Sequence, residues 1–258
     1  MGEILEEPDF EEGEILCEVL RRAGKSMNDE IARYRTLSID YREYIDTWVH
    51  EVKTPIAGAR LLAENNPGEV SRSFVAELSK IERYVEQALY YSKSNSVEKD
   101  YIIKKTSLES LVKSTVRKNA ALFIESHVRL ELHSLDYEIY TDVKWVAFIL
   151  GQVFSNAVKY ASKEDPLVRV EAEERSNSIA LKITDNGIGI SQKDIERVFE
   201  KGFTGENGRQ YARSTGIGLY LCRKLCDKLG LSISIASEPG AWTQVRIVFP
   251  KSRMQLLI

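Results

Sequence analysis

Only three cysteines occur among the 258 residues, an odd number at no regular spacing, which excludes a disulfide framework and fits a reducing compartment. No stretch approaches the roughly 20 apolar residues that a membrane helix needs. A surplus of positive charge is missing too. Against 39 Asp+Glu stand 36 Lys+Arg, a formal net charge of -3, so no nucleic acid is expected as a partner. Residues 1–14 carry seven acids and no base, the opposite of a secretory leader. What is present is 43 % hydrophobic residues over a length that suits two medium domains. The chain as given is expected to be soluble and cytoplasmic.

The acidic start, with Pro8 and no sustained periodicity, reads as a linker over residues 1–26. From Met27 the pattern changes. Met27, Ile31, Tyr34, Ser38, Tyr41, Ile45, Trp48, Val52, Pro55, Ala59 and Leu62 are spaced alternately by four and three, a heptad seam of about five repeats. Such a seam needs a partner, because one face of a lone helix cannot be hidden from water. Asn65-Asn66-Pro67-Gly68 stops the helix, and a second periodic run follows through Phe74, Leu78, Ile81, Val85 and Ala88. Residues 27–95 therefore read as a helical hairpin. Its simplest closure is a homodimeric four-helix bundle, the alternative being that it packs on the rest of its own chain.

Residues 101–258 mix periods. Helical spacing is expected over 108–122, 143–160 and 215–229, and strands over 128–132, 137–140, 167–173, 179–184, 231–236 and 243–249. The 137–140 strand is placed to pair with 128–132. This is an α+β domain, a sheet with helices on one face.

Four segments of this second domain suit a nucleotide. Asn156 and Lys159 leave one helix face, and an amide oxygen beside an ammonium suits a magnesium-triphosphate unit. In Asp185-Asn186-Gly187-Ile188-Gly189 a strand ends in a carboxylate able to accept from an exocyclic amine, and the glycines let backbone approach a flat base. Thr215-Gly216-Ile217-Gly218 opens a helix whose amides form an anion site. Residues 201–209, polar and glycine-rich, read as a loop able to close over a ligand. Taken singly, a Gly-x-Gly pair is more often an ordinary turn.

The hairpin offers a second centre. With Ile45 and Val52 at a and Trp48 at d, His50 falls at f and faces water. A lone exposed histidine is commonly a plain surface residue, but a neutral imidazole nitrogen is a nucleophile at pH 7. Glu51 is placed to orient the ring and take up its proton, unless it is an ordinary surface acid. Thr54 stands one turn on with a hydroxyl able to hold a water. Pro55 cannot donate to the carbonyl of Glu51, so a bend is expected just past the histidine.

In this order the segments resemble the sensor histidine kinases of two-component systems. Val49-His50-Glu51-Val52-Lys53-Thr54-Pro55 matches their phosphoacceptor motif, residues 152–160 their Asn box, residues 185–190 and 215–219 their glycine boxes, and Val198-Phe199-Glu200-Lys201-Gly202-Phe203 their phenylalanine box. The resemblance implies an α+β protein. Residues 27–95 would be the dimerisation and phosphoacceptor domain, and 101–258 an α/β sandwich that binds ATP, of the gyrase, chaperone and histidine-kinase superfamily. It implies ATP and Mg2+ as cofactors, with Asn156 on the metal and Lys159, Tyr160, Asp185, Gly187, Gly189, Phe203, Gly216 and Gly218 around the nucleotide. His50 would be phosphorylated, with Glu51 and Thr54 assisting, and would pass the group to an aspartate of a response regulator. Thr54 is tied by the same resemblance to dephosphorylating that partner.

The superfamily's ATP-hydrolysing members carry a glutamate one turn before the matching asparagine. Here that position is Gln152. An amide cannot take a proton, so the site suits an external nucleophile better than water. The alternatives are a nucleotide-binding signalling module without phosphotransfer and an ATPase. Residues 202–209 and Glu-Val-Lys-Thr-Pro look most like the intramembrane-sensing kinases of Gram-positive bacteria, which work beside peptide-antibiotic transporters. That implies membrane helices before this chain, which would be the cytoplasmic portion of a membrane protein. His127 and His133 read as solvated, Cys222 and Cys226 as buried thiols, and the three tryptophans as packing.

Overall fold

In a computed structural model, which describes residues 10–95, 101–162, 164–205 and 215–251, the chain divides into two units, Met1–Lys99 and Asp100–Ile258. The first is the expected hairpin of α1 (Glu11–Asn65) and α2 (Glu69–Asn95). Asn66 closes α1, its backbone N–H donating to Ala63 O at 3.3 Å and its side chain to Leu62 O at 2.8 Å. Val49 and Ile56 of α1 and Leu78 and Val85 of α2 are buried. Arg60 ties the two helices, donating to Glu82 at 2.6 Å and Ser79 at 3.2 Å.

The helix begins at Glu11, well before Met27, so much of the stretch expected as a linker is helical. Glu11, Glu12 and Glu14 crowd its first turn, where the helix dipole favours negative charge. Those acids resemble a solvating tail in composition but stabilise a helix start by position. Pro8 lies outside the described residues. The helix also continues through Pro55 to Asn65.

The second unit holds a five-stranded sheet in the order β2-β4-β5-β7-β6, formed by β2 (Arg129–His133), β4 (Leu167–Arg175), β5 (Ser178–Asp185), β6 (Ser232–Glu238) and β7 (Trp242–Pro250). β2 runs parallel to β4 and the other pairings are antiparallel. Its inner rows, Val170, Ile183, Val245 and Ile235 in one and Ala172, Leu181, Ile247 and Ile233 in the next, follow from the register. Against them lie α3 (Leu108–Lys118), α5 (Val143–Lys159) and, after the short α6 (Gln192–Ile195), α7 (Gly218–Lys228); α3, α5 and α7 bury Leu111, Ile149, Phe154 and Leu221. Each such side chain contributes about 1.5–3 kcal/mol by leaving water.

One pairing departs from the sequence reading. β3 (Glu138–Thr141) pairs antiparallel with β1 (Lys104–Ser107), not with β2. β1 has no apolar alternation to announce it, and β2 finds its parallel partner across a long stretch of chain. The expected 108–122 helix is cut at Asn119, whose side chain donates to Thr115 O at 2.8 Å, leaving α4 (Ala120–Glu125) as a separate turn. Ser107 and Asp142 cap α3 and α5, accepting from Ser110 N and Trp145 N. Cys222 and Cys226 are buried in α7, as expected, and burial raises both thiols, Cys226 to about 12.

Candidate functional site

α5 buries Val153, Phe154, Ala157 and Val158, which turns Gln152, Asn156 and Lys159 toward the opposite face. Asn156 is half-buried, and its side chain makes no hydrogen bond among the described residues. Lys159 is exposed, with Nζ 4.9 Å from the ring centre of Tyr160, the residue that ends α5. The Tyr160 carbonyl reaches further. It accepts from Ile188 N at 3.0 Å and so joins the end of α5 to the segment after β5.

That segment starts at Asp185, which is 7 % exposed and stands on the inner face of the sheet. Its Oδ1 accepts from Gly187 N at 3.0 Å. Burial nevertheless pushes the carboxyl up to about 7, outweighing the donors from Gly187 and its own backbone that favour the anion. A Cβ at position 187 would stand 2.0 Å from Tyr160 O, so only glycine fits there. Gly189, at φ +65°, is as constrained, 2.1 Å from Glu238 O, and Ile188 O accepts from Gly240 N at 2.8 Å. The loop is thus held between the end of α5 and the β6–β7 turn. Asn186 is structural: its side chain accepts from Leu167 N and donates to Asp165 O, both at 2.9 Å.

A second cluster joins the phenylalanine segment to the later glycine pair. Gly202 N donates to Gly216 O at 3.0 Å, and a Cβ on Gly216, at φ +64°, would lie 2.3 Å from the Gly202 carbonyl carbon. Phe203 is half-buried with the Arg197 guanidinium 4.5 Å from its ring centre. α7 opens at Gly218, not at residue 215, because 215–217 form this close turn. The loop expected to close over a ligand lies, from 206 to 214, outside the described residues.

In the other unit His50 is exposed, as expected at f. The buried positions beside it, however, are Val49 and Ile56, which the heptad places at e, while Trp48, expected at d, is 37 % exposed, because α2 packs against a face of α1 turned from the expected seam. Glu51 is exposed as well. The Thr54 hydroxyl donates to His50 O at 3.3 Å, and Pro55 offers no N–H to the Glu51 carbonyl. The structure thus brings Tyr160, Asp185, Gly187 and Gly189 into one contact network, and Gly202, Phe203 and Gly216 into another. Sequence reasoning missed the carbonyls of Tyr160 and Glu238, which make those glycines obligatory, and the anchoring role of Asn186. The Asp-Asn-Gly run, a turn signature with two side chains able to bond backbone, was the signal for the latter.

Residues 141–253 match the family described as histidine kinase-, DNA gyrase B-, and HSP90-like ATPase. The chain is 37 % identical over 207 residues to the sensor histidine kinase YxdK of Bacillus subtilis, covering 80 % of this chain and 64 % of YxdK. It is 29 % identical over 226 residues to the sensor protein BceS of Halalkalibacterium halodurans, covering 87 % of this chain and 67 % of that protein. It thus spans about two thirds of the length of these curated relatives. The crystal structure of full-length ShkA, a complex with AMPPNP, shares the fold at a TM-score of 0.60 and 22 % identity, over 81 % of this chain and 45 % of that one.

Proposed function

We propose that this chain, which carries the ATP-binding domain of the sensor histidine kinases, is a dimeric ATP:protein-histidine phosphotransferase that phosphorylates His50. The observation that carries the reading is a buried carboxylate, Asp185, beside a backbone that only glycine permits, on the same chain as an exposed histidine at the surface of a helix. A buried carboxylate suits a ligand that donates a hydrogen bond, as an adenine amine does, because that bond stabilises the anion that burial disfavours. Gly187 and Gly189 leave room for the base, and Lys159 and the start of α7 at Gly218 serve the phosphates. Tyr160, Phe203 and Gly216 belong to the walls of the same site.

Among the described residues no group of three His, Cys, Asp or Glu side chains could hold a metal. Asn156, whose amide oxygen is a hard ligand, would be the residue that holds Mg2+. Bound there, Mg2+ would supply charge neutralisation on the phosphates. The chain's own residues do the rest: an imidazole nitrogen of His50 forms a bond to the γ-phosphorus as the bond to the ADP oxygen breaks, and Glu51 accepts the imidazole proton. Gln152 has no basic atom with which to activate water, which keeps the phosphoryl group for His50. The group then passes to an aspartate of a response regulator, and Thr54 positions the water that later removes it.

Exposed seam residues, among them Tyr41, Phe74 and Ile81, support a homodimeric four-helix bundle. The setting that goes with this function is the cytoplasmic side of a membrane sensor, with a peptide-antibiotic transporter upstream. No helix among the described residues is long and apolar enough to cross a membrane itself. Incubation with ATP and Mg2+ should give an acid-labile, base-stable phosphoprotein, and His50→Gln should abolish it. Label that persists in the variant would falsify the assignment.

A further inference from the structure

The glycine loop after β5 is held at its far end by a side chain. Ile190 N donates to Ser237 Oγ at 2.8 Å, and Ser237, on β6, is 7 % exposed. What surrounds that hydroxyl follows from the register. Asp185 of β5 stands opposite Thr243 of β7, and Thr243 opposite Ser237 of β6. The three therefore form one polar row across the sheet, on the same face as the apolar row of Ile183, Val245 and Ile235 beside it. The loop leaves this row at Asp185 and is tied back to it at Ile190.

The hydroxyl is fully committed. It donates its one proton to Trp242 O at 2.6 Å, which leaves its lone pairs for the Ile190 N–H and for the Thr243 hydroxyl at 3.1 Å. A serine so fixed is an acceptor aimed one way. Ile188, by contrast, is held through backbone alone, its N–H by Tyr160 O and its carbonyl by Gly240 N. An Ile190 N–H left without the hydroxyl would turn to water for a partner, so the end of the loop would shift and take Gly189 with it.

We infer that Ser237 is a positioning residue for the nucleotide, which holds the glycine loop in the shape that leaves room for the base beside Asp185. This rests on the ATP site proposed above and adds to it a residue that acts through the loop. The base is at the opposite end of ATP from the γ-phosphorus that reacts. The hold therefore serves bound ATP and the transition state alike, and its loss raises KM while sparing the limiting rate.

In the full chain with Mg2+, the rate of phosphorylation followed against ATP concentration gives both quantities. Ser237→Ala should raise the half-saturating ATP concentration about tenfold, the equivalent of one buried hydrogen bond, and leave the limiting rate within about twofold. Ser237→Thr and Ser237→Val differ in the hydroxyl, so Thr should stay near the wild type and Val should follow Ala. Ser107→Ala removes another hydroxyl that accepts from backbone, at 3.1 Å in the cap of α3, and should leave the ATP dependence unmoved. Equal values for Thr and Val, an unmoved ATP dependence in Ser237→Ala, or as large a shift in Ser107→Ala overturns the role. Hydrogen exchange of the wild type needs no variant: without ATP the Ile190 N–H should be protected at least about tenfold, and free exchange there overturns the role too. Calorimetric ATP binding separates the two failures. Binding weakened by Asp185→Asn but unchanged in Ser237→Ala and Ser237→Val removes only this inference, whereas binding unchanged in all three removes the ATP site as well.

Discussion

Asp185 concentrates the electrostatics of the proposed nucleotide site in one group. Burial lifts its carboxyl to about 7, so in the empty domain it is largely protonated below that pH. The folded-state value lies above the unfolded one, so this group favours folding most at low pH, and that contribution is lost as pH rises from the ordinary carboxylate range through about 7. A ligand that donates to the carboxylate has the opposite dependence, because below 7 the proton must first leave. ATP affinity should therefore fall as pH drops below 7, by up to about tenfold per unit. Calorimetric titration of the wild type and Asp185→Asn between about pH 6 and 8 checks this, since the difference between the two cancels the titration of ATP itself. An identical pH slope for both proteins would remove Asp185 from the base pocket.

Among the elements, the Gly216 turn carries the most specific backbone requirement. Alanine there would need a left-handed residue whose Cβ meets backbone at 2.3 Å, and backbone cannot swing aside as a side chain can. Gly202 is also left-handed, at φ +79°, but a Cβ there meets nothing within 4 Å among the described residues. Gly216→Ala should thus destabilise the second unit by roughly 2–4 kcal/mol and Gly202→Ala by about 1 kcal/mol, read from urea midpoints. Equal losses would mean that the close approach is not what fixes the turn. The same turn marks the limit of what the sequence discloses. Its glycines stand out as a pair, and the helix after them is plain, but the carbonyl that forbids a side chain lies in another segment and has no sequence signature. For the same reason the true neighbour of β3 is not legible in the sequence. Lys104–Ser107 has no pattern of its own, and pairing over a distance is decided by the whole domain. The hairpin was legible because its seam and its Asn-Pro-Gly turn are local. The start of α1 was not, because acids that cap a helix and acids that solvate a tail are the same residues.

At the scale of the whole molecule, two units with separate cores should obey two separate linkages. The hairpin leaves apolar residues such as Tyr41, Phe74 and Ile81 exposed and, in the proposed dimer, would gain its missing burial from a second copy, so its unfolding should depend on protein concentration. The second unit buries its own core between sheet and helices, and its unfolding should instead respond to ATP, gaining about 2.7 kcal/mol when the nucleotide stands at about a hundred times its dissociation constant. Scanning calorimetry at two protein concentrations, with and without ATP and Mg2+, separates the two effects. Asn156→Asp should erase the nucleotide shift, since a carboxylate pushes against the triphosphate, while leaving the concentration-dependent transition where it was. A single transition that moves with both variables, and is altered throughout by Asn156→Asp, would mean that the two units fold as one body and that the catalytic domain is not free to act as a separate carrier of ATP.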